Sequence, residues 1–524
     1  MIRLNLRLRR TFLIIWCLSL WAVFAIFPPA YQNYYPTPAD RRSFLMGMQQ
    51  NAGMVALWGP LEDPPTLGQI VMWEAGSMMI ILGSVMSVLL FVGLHRRSEA
   101  LGLTELQLST GISRMAPAAA ALATTVIASL IVGLGSAGVL WLSSQYVDEM
   151  PGEGSLTSGA VITLTMIGSA LLAHLVLLFV DNPASVTRIG LLTVAGSFIA
   201  RSVADSEELM WLNWVSPLGW KTVVHPYVKD DWGNLALLAA LCVAAAGLLL
   251  WAERYREYGS ALAALPSLPH TRTRHVRGPV HLATVLHRGT VLTWMVVIAV
   301  LAAFIIALTG SLSGWMETEA NVGQIFKDIF GEGDMKAEFI AYTAKLCGIL
   351  VATYGIQVIV SYRAGELDRT VDLQRSTGVR RWMPLASATV VSIAGVVLGV
   401  LAILGGGAVG LWTQESTTSV DYENLVPAAW SQLAPALLLM AVAVVLVGWA
   451  PRWTHLAWAP VVSAAVLTLF GPVLSAPQWM IELSPFEYSV SSTSGEWTTH
   501  LWMGLGALAL TGLGLLGSQR REIL

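Results

Sequence analysis

Runs of about 20 apolar residues, long enough to cross the hydrocarbon core of a bilayer, recur along this 524-residue chain and alternate with short polar stretches. Twelve such runs lie near 12–27, 68–94, 117–143, 159–180, 187–204 and 234–252 in the first half, and near 290–309, 337–361, 384–412, 425–449, 454–474 and 500–518 in the second. The pattern predicts an all-α polytopic membrane protein of twelve transmembrane helices. Two longer stretches, 28–67 and 201–232, break the alternation. The second holds Trp211, Trp214, Trp220 and Trp232 with Pro217 and Pro226. Aromatic residues at that density suit either an interfacial belt or a broken helix dipping into the membrane under cover of protein.

The polar stretches carry a repeat. Residues 96–117 read RRSEALGLTELQLSTGISRMAP, and residues 363–384 read RAGELDRTVDLQRSTGVRRWMP. At a constant offset of 267 positions Arg96 matches Arg363, Glu99 matches Glu366, and Leu106-Gln107 matches Leu373-Gln374. Ser109-Thr110-Gly111 likewise matches Ser376-Thr377-Gly378, Arg114 matches Arg381 and Pro117 matches Pro384, while Glu105 answers Asp372. Shared hydrophobic composition does not produce identities in polar segments, so these mark an internal repeat. Each copy predicts a short helix outside the membrane, stopped by Gly111 or Gly378 and followed by a proline that opens the next helix.

The echo extends further. Pro183 answers Pro451, and Ser216-Pro217 with Trp220 answers Ser484-Pro485 with Tyr488. The expectation is two parallel six-helix halves, 1–253 and 289–524, related by a pseudo-two-fold axis along the membrane normal. Between them the stretch 254–288, basic and punctuated by Pro266 and Pro269, reads as a linker.

Composition agrees with lipid as the solvent. With 55% hydrophobic and 12% charged residues and a mean hydropathy of +0.64, the chain has too few charges to cover a soluble surface. Its net charge of −3 matters less than which side holds the cations. With the N-terminus inside, Arg3, Arg7, Arg9, Arg10, both repeated loops, Arg188, Arg452, the linker, Arg520 and Arg521 all fall on the cytoplasmic side. Asp148, Glu149 and Glu153 fall outside. That asymmetry predicts a multi-pass protein of the bacterial cell membrane with both termini cytoplasmic. The N-terminal run lacks a small-residue cleavage site and reads as a retained span. Cys17, Cys242 and Cys347 all lie in apolar runs, which argues against a disulfide scaffold.

Catalytic chemistry is sparse. No Gly-x-x-x-x-Gly-Lys-Ser/Thr motif, nucleophile elbow, Cys redox motif or metal-ligand cluster is present in the sequence pattern. His174, inside helix 4, reads as a packed or hydrogen-bonded histidine rather than a ligand. Neither a metal nor a nucleic acid partner is expected. Candidate substrate contacts are Met72, Met78, Met79 and Met86 beside Trp73, because methionine faces repack around dissimilar apolar shapes. Tyr342 joins them from the equivalent helix of the second half. Glu74 and Lys345 are charges inside spans, and such charges normally pair, so they are expected to meet across the pseudo-dyad.

The glutamate-bearing loop after the second helix of each half, with its Ser-Thr-Gly-Ile/Val-x-Arg ending, resembles the coupling loop of type-2 (ABCG-like) ABC exporter permeases. The fused twelve-helix form, with Ser216-Pro217-Leu218-Gly219-Trp220 before helix 6, is similar to the actinobacterial polyketide-antibiotic or tetronasin exporter branch. The resemblance implies a permease exporting hydrophobic drugs or antibiotics, energised by two copies of a separate ABC ATP-binding subunit. ATP and Mg would sit on that partner, and this chain would be no enzyme. It further implies that helices 2, 5, 8 and 11 line the substrate path. Glu99, Glu105, Gly111 and Arg114, with Glu366, Asp372, Gly378 and Arg381, would dock the ATPase, their carboxylates facing donors on the partner. The second half departs from the pattern in reading Ser484-Pro485-Phe486-Glu487-Tyr488, without Gly-Trp. A proton-driven secondary transporter of twelve-helix type is the alternative.

Overall fold

The computed structural model describes residues 1–49, 52–63, 65–180, 186–257, 260–262, 276–318, 335–414, 417–471, 477–490 and 497–521. Among them all regular structure is helical and no strand occurs. The chain divides into two compact units, Met1–Thr271 and Arg272–Leu524. Pro183 and the middle of the expected linker, with Pro266 and Pro269, lie outside the described residues.

The long helices of the first unit are α1 (Ile2–Tyr34), α2 (Leu67–Leu94), α3 (Ala116–Ser143), α4 (Gly152–Leu177), α5 (Val186–Ser206) and α6 (Trp232–Glu253). Helix α1 continues through Pro28 and Pro29, further than its apolar run suggested, and Tyr31 beyond them is buried. Helix α2 starts at a capping box in which Thr66 and Gln69 exchange hydrogen bonds of 3.0 and 3.2 Å. Helices α3 and α4 touch backbone to backbone: a Cβ on Gly133 would lie 2.4 Å from the Gly159 carbonyl oxygen. Small residues permit that approach, which is how helices gain contact where no hydrophobic driving force operates.

The second unit contains α7 (Pro279–Thr318), α8 (Met335–Leu367), α9 (Met383–Trp412), α10 (Ser419–Trp449), α11 (Trp458–Phe470) and α12 (Thr498–Arg520). Helix α10 is interrupted at Gln432. Tyr354, Val396, Met440 and Phe486 belong to its core.

Eleven of these helices are long and apolar enough to cross a membrane. The exception is α11, where the sequence predicted a twelfth span at 454–474. It has 13 residues and so covers about 20 Å, against about 30 Å of hydrocarbon. Pro460 lies in its first turn, where proline costs no intrahelical hydrogen bond, which favours a start at Trp458. The chain before it, Pro451–Ala457, winds as a 3₁₀ helix instead.

The irregular segments are packed by protein. In the first unit Met210–Val215, Pro217–Gly219 and Trp220–Val224 form three short helical pieces, and Trp220 and Lys221 are buried. Ser216 Oγ donates to Ser197 O of α5 at 2.7 Å. In the second unit Ser484 Oγ lies 2.7 Å from Thr468 Oγ1 and 3.3 Å from Ala464 O of α11. Each Ser-Pro serine therefore ties its segment back to the helix before it.

Candidate functional site

The two repeated loops fold alike. After α2 come short helices Arg96–Ala100 and Leu103–Leu108, joined through Gly102 in a left-handed conformation, φ 70°. After α8 comes the helix Thr370–Ser376, entered through Arg369, also left-handed at φ 59°. Serine and threonine then close each helix. Ser109 Oγ and Thr110 Oγ1 donate to Leu106 O and Gln107 O at 2.7 and 2.6 Å. Ser376 and Thr377 do the same to Leu373 O and Gln374 O at 2.8 and 2.7 Å. Gly111 and Gly378 follow with φ of 82° and 84°, conformations that suit the residue lacking a Cβ. Pro117 and Pro384 then sit in the first turns of α3 and α9.

Glu99 and Glu366 do not face outward, as a docking role had suggested. Arg96 Nη1 donates to Glu99 Oε2 at 2.8 Å, and the Arg256 fork spans both Glu99 oxygens at 2.9 and 2.8 Å. The Glu99 side chain is 7% exposed. In the second unit Arg363 Nη1 donates to Glu366 Oε2 at 2.8 Å and Arg521 Nη2 donates to Oε1, with the Glu366 side chain fully buried. A buried carboxylate requires paired cations, and each loop supplies one while the end of the unit supplies the other. Burial lowers the Arg256 pKa, but its bonds and charges toward Glu99 and Glu253 outweigh this and hold it above its ordinary value.

What the loops present outward is different. Glu105, Gly111 and Arg114 are exposed in the first, and Asp372, Gly378 and Arg381 in the second. Beside them the matched leucines Leu106 and Leu373 are 69% and 71% exposed. Leu101, Leu103 and Leu367 are exposed as well. An apolar cluster flanked by charges in a polar loop has the composition of a protein-binding patch.

His174 has company that the sequence did not reveal. Its Nε2 lies 3.0 Å from Glu253 Oε1, and His95 Nε2 lies 2.9 Å from the same oxygen. Glu253 Oε2 accepts from Arg256 Nε at 2.9 Å. Among the described residues these three are the group whose ligand atoms could hold a metal ion, all within 4.8 Å of one another. The arrangement also closes by hydrogen bonding alone. With a proton on Nε2, each neutral imidazole donates to Oε1. His174 Nδ1 has no partner, which suits a bare lone pair better than an N–H. The ends of α2, α4 and α6 are thereby tied to Glu99 through Arg256.

The expected substrate residues divide by environment. Met72, Trp73, Met79 and Met86 are buried within the first unit. Met78 and Glu74 are partly buried and lie on the less covered side of α2, and Tyr342 is partly buried on α8. Glu74 accepts from the Tyr31 hydroxyl of α1. Lys345 Nζ donates to Glu487 Oε2 at 2.7 Å. Glu74 and Lys345, which the sequence suggested would pair with each other, each have a partner inside their own unit. Sequence reading passed over Glu487 because it sits in the segment before α12, far from Lys345 in the chain. It also missed Lys221, whose Nζ donates to Trp58 O at 2.8 Å, Trp73 O at 3.2 Å and Ser77 Oγ at 2.5 Å.

Eleven membrane-length helices in two units, with folded polar loops between them, define a multi-pass membrane protein. Residues 276–518 match the family described as Multidrug efflux system permease Rv1217c, C-terminal domain. The chain is also 27% identical over 532 aligned residues to the multidrug efflux system permease protein Rv1217c of Mycobacterium tuberculosis (strain ATCC 25618 / H37Rv). That alignment covers 100% of this chain and 94% of the relative. The chain is therefore similar to a multidrug efflux permease along its whole length.

Proposed function

We propose that this chain is the membrane-spanning permease of an ATP-driven exporter of hydrophobic drugs or antibiotics, of the type-2 (ABCG-like) kind, with two copies of a separate ATP-binding subunit docked on the two loops. The observation that carries this reading is the recurrence, 267 positions apart, of one loop geometry that buries its glutamate and exposes its leucine. Two equivalent docking elements suit two copies of one partner. ATP and Mg belong to that partner. Both loops and both termini then lie on the cytoplasmic side, as the positive-inside distribution requires. The similarity to an efflux permease supports the choice of cargo class, and the tetronasin-type branch is a finer assignment that rests on the Ser216–Trp220 motif alone. A proton-driven mechanism has less support, since it leaves two matched loops without a task.

Docking through Leu106 and Leu373 is tested by the double replacement Leu106→Asp with Leu373→Asp. Each exposed leucine has no core to lose, so the chain should still reach the membrane at the wild-type level. Purification of the tagged chain from its native membrane should bring down an ATP-binding subunit with the wild type and not with the double variant. Equal recovery of the subunit with both proteins would refute the docking surface.

A further inference from the structure

We infer that Arg256 and Arg521, the arginines that follow the last helix of each half, are positioning residues that make each loop move with its last helix as well as with the helix from which it extends. The inference rests on the loops being the docking elements proposed above. Its geometric basis is independent of that reading. Glu99 follows α2 and Glu366 lies in the last turn of α8, and each carries an arginine from its own loop at i−3. Arg96 also donates to Val180 O just beyond α4, but neither local arginine ties its glutamate to the last helix of its half. The second arginine does, coming from 157 residues away in the first half and 155 in the second.

The two arginines arrive by different routes. Arg256 lies three residues beyond the end of α6, whereas Arg521 directly follows α12. Two unlike helix ends thus deliver a guanidinium to the matching carboxylate of each loop, Glu99 or Glu366. A fork spanning both carboxylate oxygens fixes orientation as well as distance, as Arg256 does on Glu99. In the first half the clamp runs on through Glu253 to His95 at the end of α2 and His174 on α4. A displacement of that loop is therefore delivered to three helix ends at once.

The test has two arms. In the chain alone, reconstituted in nanodiscs, spin labels at Leu106 and Leu248 report the distance between the first loop and α6; Leu373 and Leu516 report the second loop and α12. All four positions are exposed. The wild type should give one narrow distance in each half. Arg256→Ala should broaden the first only, Arg521→Ala the second only, and the charge exchange Glu99→Arg with Arg256→Glu should restore much of the narrow first component. The second arm measures ethidium efflux from cells carrying each variant at equal membrane abundance. Arg256→Ala should lower the rate roughly tenfold, the scale of a typical coupling between sites, with partial recovery in the exchange variant.

Unchanged distances in the alanine variants would overturn the inference, as would broadened distances with undiminished efflux. If the wild type itself moves no ethidium and no other apolar dye, the transport reading fails while the distance arm still decides whether the arginines position the loops.

Discussion

The two halves use the same connections with different residues. At the loop, both halves clamp a glutamate between two arginines, but among the described residues only the first continues the clamp. Tyr362 stands at the position matching His95, α10 contains no histidine, and α12 ends in Arg520 where α6 ends in Glu253. Toward the starts of α2 and α8 the polarity reverses. The segment before α6 offers the cation Lys221 to carbonyls and a hydroxyl near the start of α2. The segment before α12 offers the anion Glu487 to Lys345 on α8, and Lys336 on the same helix reaches Asp421 of α10 at 2.9 Å. The matching elements are joined in both halves, whereas the chemistry of the joint differs. The first half solves both ends with wide hydrogen-bonded networks, the second with discrete ion pairs.

The largest effect is expected where the network converges. Glu253→Ala removes the acceptor shared by His95 and His174 and one of the two carboxylates on Arg256, which keeps Glu99, and breaking a buried ion pair from one side costs about 3–5 kcal/mol. Thermal melting of the purified chain should show a much larger loss than for Arg521→Ala, which leaves Glu366 its second partner, Arg363. Equal losses would erase the contrast between network and pair.

A smaller effect is expected at Lys345. Its side chain and that of Glu487 are 20% and 18% exposed, so the pair ranks between surface bridges worth about 0–1 kcal/mol and buried ones costing about 3–5 kcal/mol to break. Lys345→Met installs the residue that the first half has at the matching position, Met78. It should lower stability, and adding Glu487→Gln should recover part of the loss by removing the stranded charge. Simple addition of the two losses would mean that the pair is not a coupled joint.

The Lys221 joint carries its own response to pH. Burial, reinforced by Arg201 and opposed by Asp205, pulls the Lys221 amine down to about 7. An unfolded lysine titrates near 10.4. Between these values the unfolded chain holds a proton that the folded chain has released, so this group makes stability rise with pH across that window. Below about 7 both states are protonated and the contribution is flat. Lys221→Met should flatten the rise of melting temperature between pH 7 and pH 10. Retention of the full slope in that variant would assign it to other groups.

The legible parts of the fold were those set by local sequence. Spans followed from apolar runs, and the loop helices with their Gly111 and Gly378 stops followed from a short motif read twice. What escaped the sequence were partners brought together by distant segments. Glu99 looked like a surface carboxylate because nothing near it in the chain reveals that Arg256 folds back onto it, and His174 looked solitary because His95 and Glu253 come from other helices. The short α11 was hidden differently. Its residues are apolar enough to span, and only Pro460 marks where regular helix can begin. The methionines of α2 misled for a third reason: composition places them on one helix without saying which face is covered.

That last point gives the smallest expected effect and separates core from path on a single helix. Met79 and Met86 are fully buried, seven residues apart on one face of α2. A methionine enclosed by its own unit is a packing residue, and volume-conserving exchange of such residues costs less than about 1.5 kcal/mol. Met79→Leu with Met86→Leu should therefore shift melting only slightly and leave the spectrum of exported compounds unchanged. Met78, on the partly covered side next to Glu74, is expected to behave the other way. If the proposed cargo path runs along this side, Met78→Ala removes little packing but takes away an adaptable side chain there, so resistance should change for some apolar compounds and not for others. Resistance profiling of the two variants side by side decides the matter. A changed spectrum in the buried double variant with none in Met78→Ala would reverse the assignment of the two faces.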